Sequence, residues 1–433
     1  MNTIQVGIIG LGTVGSGVVQ VLQENEADIR NRTGCQIRIK TVADRNESNL
    51  QAVKGDVIRT KRAEDILTDP EIDIVVEVIG GIQPAKDFIL EAFRQGKHVV
   101  TANKDLIAVH GHELLAAAKA AHKDFGFEAS VAGGIPIIAA LKESLAANQF
   151  TEILGIINGT TNYILSAMVE QGRDYAEVLA EAQKLGYAEA DPASDVEGTD
   201  AARKLAILAS IAFNSQVSLA DVYVEGISQI TSDDIRYAKE LGCTIKLLAI
   251  GKNLAKGIEV RVHPVILPTT HPLASVNGVF NAVYAIGNMV GETMFYGRGA
   301  GSLPTGSAIA ADIIHISRNI ENQAAPIHCT CYAERQILAA SEFISSYYIR
   351  TSVTDEPRVL ASLASIFAEE NISFASIIQK TKGDNKAEIV LITHPCLEAR
   401  LREALRKAEA YNKVQLIHNV IRFESGLQSG SLS

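Results

Sequence analysis

The sequence predicts an α/β protein in three parts: a doubly wound parallel sheet, a mixed α+β region, and a small ferredoxin-like unit at the end. Three observations carry this. Over the first 125 or so residues short apolar runs alternate with helical stretches, which implies parallel strands with helices on both faces. Beyond Gly133 that alternation stops, and longer strands and helices follow. From Ser346 the order is strand, helix, strand, strand, helix, strand, the split-βαβ arrangement.

In order, the strand IQVGIIG leads into a helix from about Gly15; IRIKTVAD is a strand ending in a turn; IDIVVEVIG precedes a helix near Pro84 to Gln95; HVVTAN precedes one ending near His122; and FGFEAS reads as a strand. These make a first domain of residues 1–130. A second, 131–320, holds a helix from Pro136 to Ala147, the strand EILGIING ending at the polar turn Asn158 to Asn162, and the strands GIEVRVHPVIL and NAVYAIGN. A third, 346–425, has a strand to Val353, a helix from Pro357 to Glu370, strands ISFASIIQK and AEIVLIT around a turn at Gly383-Asp384-Asn385, a helix from Pro395 to Ala410, and the strand VQLIHNVIRF. The tail SGLQSGSLS is expected to be disordered.

Composition narrows the function. At 433 residues and 47% hydrophobic the chain can fill several cores, and a net charge of -10 without a Lys/Arg-rich run argues against a nucleic-acid partner. No basic-then-apolar leader opens the chain and nowhere do 18 apolar residues run together, so neither export nor membrane insertion is expected. Five scattered cysteines, Cys35, Cys243, Cys329, Cys331 and Cys396, lack zinc-knuckle spacing and read as reduced thiols in the cytoplasm. His263, His271 and His328 lack metal-ligand spacing and read as structural.

Gly10-Leu11-Gly12-Thr13-Val14-Gly15 follows a strand and opens a helix, the setting in which this glycine pattern cradles a pyrophosphate at a helix N-terminus. The first domain therefore reads as a Rossmann-type dinucleotide-binding domain. Asp44 ends the second strand, where an acid takes a ribose hydroxyl, and Arg45 beside it could pair with a 2'-phosphate, which leaves NAD and NADP both open. Lys104, in Thr101-Ala102-Asn103-Lys104, stands at the carboxyl end of a strand and is aimed at the cofactor crevice. In DVEGTDAARKLAILASIAF, ionisable Asp195, Asp200, Arg203 and Lys204 guard the entrance of a helix apolar on every side from Leu205 to Phe213. Asp200 and Lys204 share one helix face, with Arg203 as the competing partner, and a lysine so held could protonate a developing alkoxide. Upstream, LGYAEADPASD gathers Glu189, Asp191 and Asp195, which suits a cationic substrate group.

With GLGTVG, TANK, FEASVAGGIP (127–136), INGTTNYIL (157–165), LGYAEADPASDVEGTDAARKLAIL (185–208) and GRGAGSLPTGSA (297–308) in order, nearly the whole chain resembles the homoserine dehydrogenases of the aspartate pathway. The resemblance implies NAD(P)-dependent interconversion of L-aspartate 4-semialdehyde and L-homoserine, in threonine, methionine and isoleucine biosynthesis. It implies Lys204 as proton donor and acceptor, Asp200 and Lys104 as catalytic partners, and Glu189, Asp195, Asp200 and Thr160 around the substrate. Cofactor contacts would come from Gly10, Gly12, Thr13, Val14, Gly15, Asp44, Arg45, Gly80, Lys104, Gly186 and Gly301. Glu128, Val131, Gly133 and Ile135 match a monovalent-cation site for sodium or a similar ion. GRGAGSLPTGSA would return to the dinucleotide domain, with Gly306 where the family often has alanine, a change expected to touch helix propensity and not function.

The third domain resembles an ACT domain, an amino-acid-binding module, and implies feedback by threonine. Its turn, however, reads Asp355-Glu356-Pro357-Arg358, with arginine in place of the glycine that lets a ligand approach the backbone. The family resemblance also implies a homo-oligomer, a dimer formed through the second domain or a tetramer. Two rival readings stand beside this one: a dinucleotide- or amino-acid-sensing regulator without turnover, and a phosphorylating semialdehyde dehydrogenase using Cys243 as nucleophile.

Overall fold

A computed structural model describes residues 3–325, 331, 333–383 and 385–424. The chain divides into two compact units: Met1–Asn158, Ala201–Val222 and Phe280–Arg335 form one, and Gly159–Asp200, Tyr223–Val279 and Gln336–Ser433 the other.

The first unit is built on a six-stranded sheet in the order Ile58–Thr60, Gln36–Ala43, Thr3–Ile9, Ile74–Glu77, His98–Thr101, Phe125–Gly126. Every neighbouring pair is parallel. The strand order reverses beside Thr3–Ile9, and ligands of such sheets bind at that switch point outside the carboxyl ends of the strands. Val6, Ile8, Val42, Ile74, Val76 and Val100 form the core with Val18, Val19 and Leu22 of the helix Thr13–Glu24 and Ile309 and Ile313 of the helix Ser302–Asn322. Those two helices lie so close that a Cβ on Gly306 would stand 2.7 Å from the carbonyl carbon of Gly17, and one on Gly17 would stand 2.2 Å from the Ser302 carbonyl oxygen. The segment 297–308 thus packs on the helix Thr13–Glu24 through Ser302 and Gly306, and Gly306, expected to matter for helix propensity, is also held to glycine by this close approach. A three-stranded antiparallel sheet, Phe150–Ile156, Phe280–Gly287 and Gly291–Arg298, completes the unit.

Local differences from the sequence reading have physical causes. FGFEAS is a two-residue strand, Phe125–Gly126, followed by a 3-10 turn at Glu128–Ser130, because the Glu128 N–H is drawn to the Asp312 carboxylate at 2.9 Å. The helix expected from Pro136 to Ala147 is α-helical only over Ile137–Ala139 and widens to a π-turn over Ala140–Ser144. A third strand, Ile58–Thr60, was not foreseen: three residues give no periodicity.

In the second unit the hairpin Cys243–Leu254 and Gly257–Pro268 stands next to Val414–Phe423, which pairs with it in parallel through Val265 opposite Arg422 and Ile266 opposite Phe423. From there the order runs Ile344–Thr354, Lys386–Thr393, Phe374–Gly383, the ferredoxin-like sheet, with Val359–Glu369 and Glu398–Glu409 packed on it through Val359, Leu363, Phe367, Leu401 and Ala404. The helix expected from Pro357 starts at Val359, because Arg358 takes the N-cap position with φ 76°.

Cys331 is disulfide-bonded, which corrects the reading of all five cysteines as reduced thiols; an odd count of scattered cysteines gave no sign of it. Cys35, Cys243 and Cys396 are free and buried. Cys329, His328 and the tail lie outside the described residues. Among the described residues no helix is long and apolar enough to cross a membrane.

Candidate active site

The glycine loop is shaped by contact as much as by torsion. Gly10 has φ 101°, and a Cβ there would lie 2.8 Å from the Val78 carbonyl oxygen; a Cβ on Gly15 would lie 2.0 Å from the Gly10 carbonyl oxygen. Gly12 instead faces open space, as a glycine that admits a pyrophosphate must. Thr13 and Val14 open the helix behind it. Asp44 ties the loop to the second strand: its Oδ2 accepts the Leu11 N–H at 2.6 Å and its Oδ1 the Asn46 N–H at 2.7 Å. Burial pushes this carboxyl up, but those N–H donors and the Asn49 amide outweigh it and hold it below the usual range, so it stays ionised.

A crevice of about 610 Å3 opens here, with Gly10, Gly12, Asp44, Arg45, Lys61, Arg62 and Gly80 in its walls. Lys61 and Arg62 escaped the sequence reading because they follow the unforeseen third strand. On the other side of the switch point Thr101 and Asn103 are buried, the Asn103 side chain caps the helix Lys104–Ala121 by accepting the Leu106 N–H at 3.1 Å, and Lys104 opens that helix, partly buried.

In the same unit, the Lys204 ammonium donates to the Ile157 carbonyl at 2.8 Å, just past the strand Phe150–Ile156. Its neighbour Arg203, the rival partner by spacing, is taken up by Asp105 at 3.0 Å. The following residues Leu205 to Ala209 are fully buried, as the apolar pattern predicted, so the lysine stem leaves a rigid helix.

The second unit carries the acids. Asp200 is only 2% exposed, whereas Glu189 and Asp191 are exposed and Asp195 half-buried. Their loop is pinned at Thr160, whose hydroxyl donates to the Tyr187 carbonyl at 2.7 Å, at Gln183, whose amide donates to the Glu189 carbonyl at 3.1 Å, and at Val196, whose carbonyl accepts the Ile227 N–H at 2.8 Å. Gly186, with φ 76°, turns the chain into it. Gly301, in the first unit, has φ 128° and caps the helix Ser302–Asn322.

Glu128 is 3% exposed and accepts the N–H groups of Ile138 and Ala139, each at 2.7 Å. Burial still raises it, and Asp312, beside its N–H, is pushed up to about 8 by burial and by the Glu128 charge. Ala132 and Gly133, both left-handed, curl the chain between Glu128 and Ile135. Buried Glu128, the Asp312 carboxyl beside it and the main-chain carbonyls of this turn are the groups from which a monovalent-cation site at Glu128, Val131, Gly133 and Ile135 would be built. His263 and His271 are buried and turned to backbone, as expected of structural histidines. Cys243 is buried and its thiol is raised by that burial, the opposite of an activated nucleophile.

Comparison with known proteins gives the family. The homoserine dehydrogenase family model matches residues 136–314, its NAD-binding domain model residues 10–128, and the ACT domain model residues 347–412. The homoserine dehydrogenase of Bacillus subtilis (strain 168) is 45% identical over 98% of this chain and 99% of its own, and that of Neisseria gonorrhoeae is 45% identical over the same shares. A crystal structure of a homoserine dehydrogenase from Thiobacillus denitrificans superposes with a TM-score of 0.93 at 44% identity, covering 98% of each chain. A hyperthermophilic archaeal homoserine dehydrogenase solved with NADPH gives 0.62 at 27% identity over 73% of this chain and 98% of its own. The chain belongs to the homoserine dehydrogenase family and is an NAD(P)-dependent oxidoreductase of amino-acid biosynthesis with a C-terminal ACT domain.

Proposed function

We propose that Lys204 is the group that gives the proton to the carbonyl oxygen of L-aspartate 4-semialdehyde during reduction and takes it back during oxidation of L-homoserine. The observation that carries this is the ammonium at the mouth of a buried helix, directed by the Ile157 carbonyl at 2.8 Å. A fixed cation beside an oxygen that becomes an alkoxide stabilises the charge as it forms. When bound, the nicotinamide supplies or receives the hydride. Lys104 assists at the nicotinamide side, Glu189 and Asp200 take the substrate amino group, and Thr160 and Asp195 shape its loop.

Of the two cofactors we assign NADP. Asp44, the residue that would favour a free 2'-hydroxyl, already serves two backbone N–H groups, whereas Arg45, Lys61 and Arg62 line the crevice and offer charge to a 2'-phosphate. The hyperthermophilic relative solved with NADPH supports this choice. A sodium or similar ion at Glu128, Val131, Gly133 and Ile135 neutralises the buried carboxyls. Threonine acts as effector at the ACT domain, the assembly is a homodimer or larger, and the enzyme is cytoplasmic.

Lys204→Ala tests the central assignment: steady-state turnover, followed by reduced-nicotinamide absorbance, should fall about 100-fold or more, the scale of a lost positioned acid, with dinucleotide affinity nearly intact. Turnover within a few-fold of the parent would remove Lys204 from that role.

A further inference from the structure

Glu77, at the end of the strand Ile74–Glu77, is 0% exposed and lies between Ile9 on one neighbouring strand and Thr101 on the other. No role in binding or catalysis has been given to it above. Its Oε1 accepts the Ile79 N–H at 2.9 Å and its Oε2 the Thr101 hydroxyl at 2.7 Å, and the Gly80 N–H and the Asn103 side chain also bear on it. The network continues from there. The Thr101 hydroxyl accepts the Asn103 N–H at 3.0 Å, the Asn103 amide donates to the Gly81 carbonyl at 2.6 Å, and the Asn103 side-chain oxygen caps the helix that Lys104 begins. Gly80 and Gly81, at φ 74° and 72°, put two successive left-handed residues into the loop so tied.

We infer that Glu77 is a positioning residue for Lys104: one buried carboxylate holds the loop after the fourth strand and the loop after the fifth in a single hydrogen-bonded unit, and so fixes where the Lys104 backbone begins its helix. The inference rests on the reading that Lys104 serves the reaction. Burying a carboxylate without a cation is costly unless its oxygens are satisfied by donors, and here the donors belong to the two loops that flank the crevice. Removing the charge leaves an amide with one acceptor oxygen where two served the two loops, so the hold on them weakens.

The test is a double-mutant cycle on the full-length enzyme, with NADPH affinity measured separately by fluorescence titration. Glu77→Gln should lower kcat between about 10- and 100-fold, the scale of a roughly 1 Å misplacement, while NADPH affinity changes less than about threefold. In a Lys104→Ala background the same substitution should cost nothing further, because the group it positions is gone. An undiminished loss in that background overturns the inference while leaving the reading of Lys104 intact. A Lys104→Ala enzyme with unchanged turnover overturns that reading, and the inference with it. Should Glu77→Gln not fold, Thr101→Val removes the hydroxyl between Glu77 and Asn103, and the same cycle applies: a loss of several-fold that vanishes with Lys104→Ala supports the inference, and a loss that persists refutes it.

Discussion

The dinucleotide-binding half and the ACT half bury charge in opposite ways. In the first, Glu77 is surrounded by neutral donors, and burial pushes its carboxyl up in spite of them. In the second, Arg350, 3% exposed, donates to Asp234 at 2.7 Å, to Glu388 at 3.2 Å and to the Thr231 hydroxyl at 2.9 Å, while Tyr237 and Tyr348 donate to the same two carboxylates. Arg422, 4% exposed, binds both oxygens of Glu398 at 3.0 and 2.9 Å and Glu225 at 2.9 Å. Burial alone would raise Asp234 and Glu398, but the arginines and neighbouring donors outweigh it and hold both below the usual carboxylate range. The difference separates two uses of a buried ion. Charges locked by counter-charges fasten the ACT sheet to the helix Ser232–Glu240 and to Glu225, whereas a carboxyl held by neutral donors at the end of a parallel strand sets the shape of a ligand crevice.

The largest expected effect breaks the locked side. Arg350→Ala strands Asp234 without its counter-charge, leaving Glu388 to Lys382 at 3.1 Å, and should cost about 3–5 kcal/mol of stability by denaturant unfolding. Glu77→Gln strands no opposite charge, so its cost should be nearer about 1 kcal/mol, that of a hydrogen bond. Equal losses from the two substitutions would erase the contrast.

A pH series sharpens the comparison, because the two halves should respond with opposite sign. Asp234, lowered in the fold, contributes stability that is present above its unfolded pKa of about 3.9 and lost as pH falls through its lower folded value. Glu77, raised in the fold, binds more protons native than unfolded, so its contribution is greatest below about pH 4.3 and declines as pH rises from there toward its folded value. Its hydrogen-bonding neighbours, Thr101, Asn103 and the N–H groups of Ile79 and Gly80, do not titrate in this range. Stability of the parent relative to Glu77→Gln should therefore shrink as pH rises above about 4.3, and relative to Asp234→Asn it should shrink as pH falls below about 3.9. Slopes of the same sign for both pairs would contradict the two-use picture.

These particulars show what could be read from the chain and what could not. The parallel sheet was legible because each strand is an apolar run with its helix behind it, and the glycine loop because each of its glycines has a local reason. Asp44 and Lys104 were legible as strand-end residues. Glu77 was not: within IDIVVEVIG it looks like any strand residue, and only Thr101, 24 positions later, explains why a carboxylate is buried there. Lys61 and Arg62 were hidden by a strand too short for periodicity, and Gly306 by a helix partner nearly 290 residues away, at Gly17. Local signals reveal elements, and tertiary partners give polar residues their reasons.

The smallest effect concerns the one turn where the two halves can be compared residue for residue. Gly10 cannot become alanine without a Cβ 2.8 Å from the Val78 carbonyl oxygen, so contact as well as torsion demands glycine there. Arg358 adopts φ 76° with an exposed side chain, so it bears the torsional strain alone, about 1–2 kcal/mol for a residue with a Cβ. Arg358→Gly relieves that strain but frees the unfolded chain by roughly 0.5–1 kcal/mol, which leaves a net gain of at most about 1.5 kcal/mol, a rise of a few degrees in melting temperature at most. The same change uncovers the backbone at the start of the helix Val359–Glu369, where an amino-acid carboxylate would meet unpaired N–H groups. Threonine titration of activity should therefore show inhibition at lower concentration in Arg358→Gly than in the parent. An unchanged titration curve with the expected gain in stability would mean that the arginine strains the turn without guarding it.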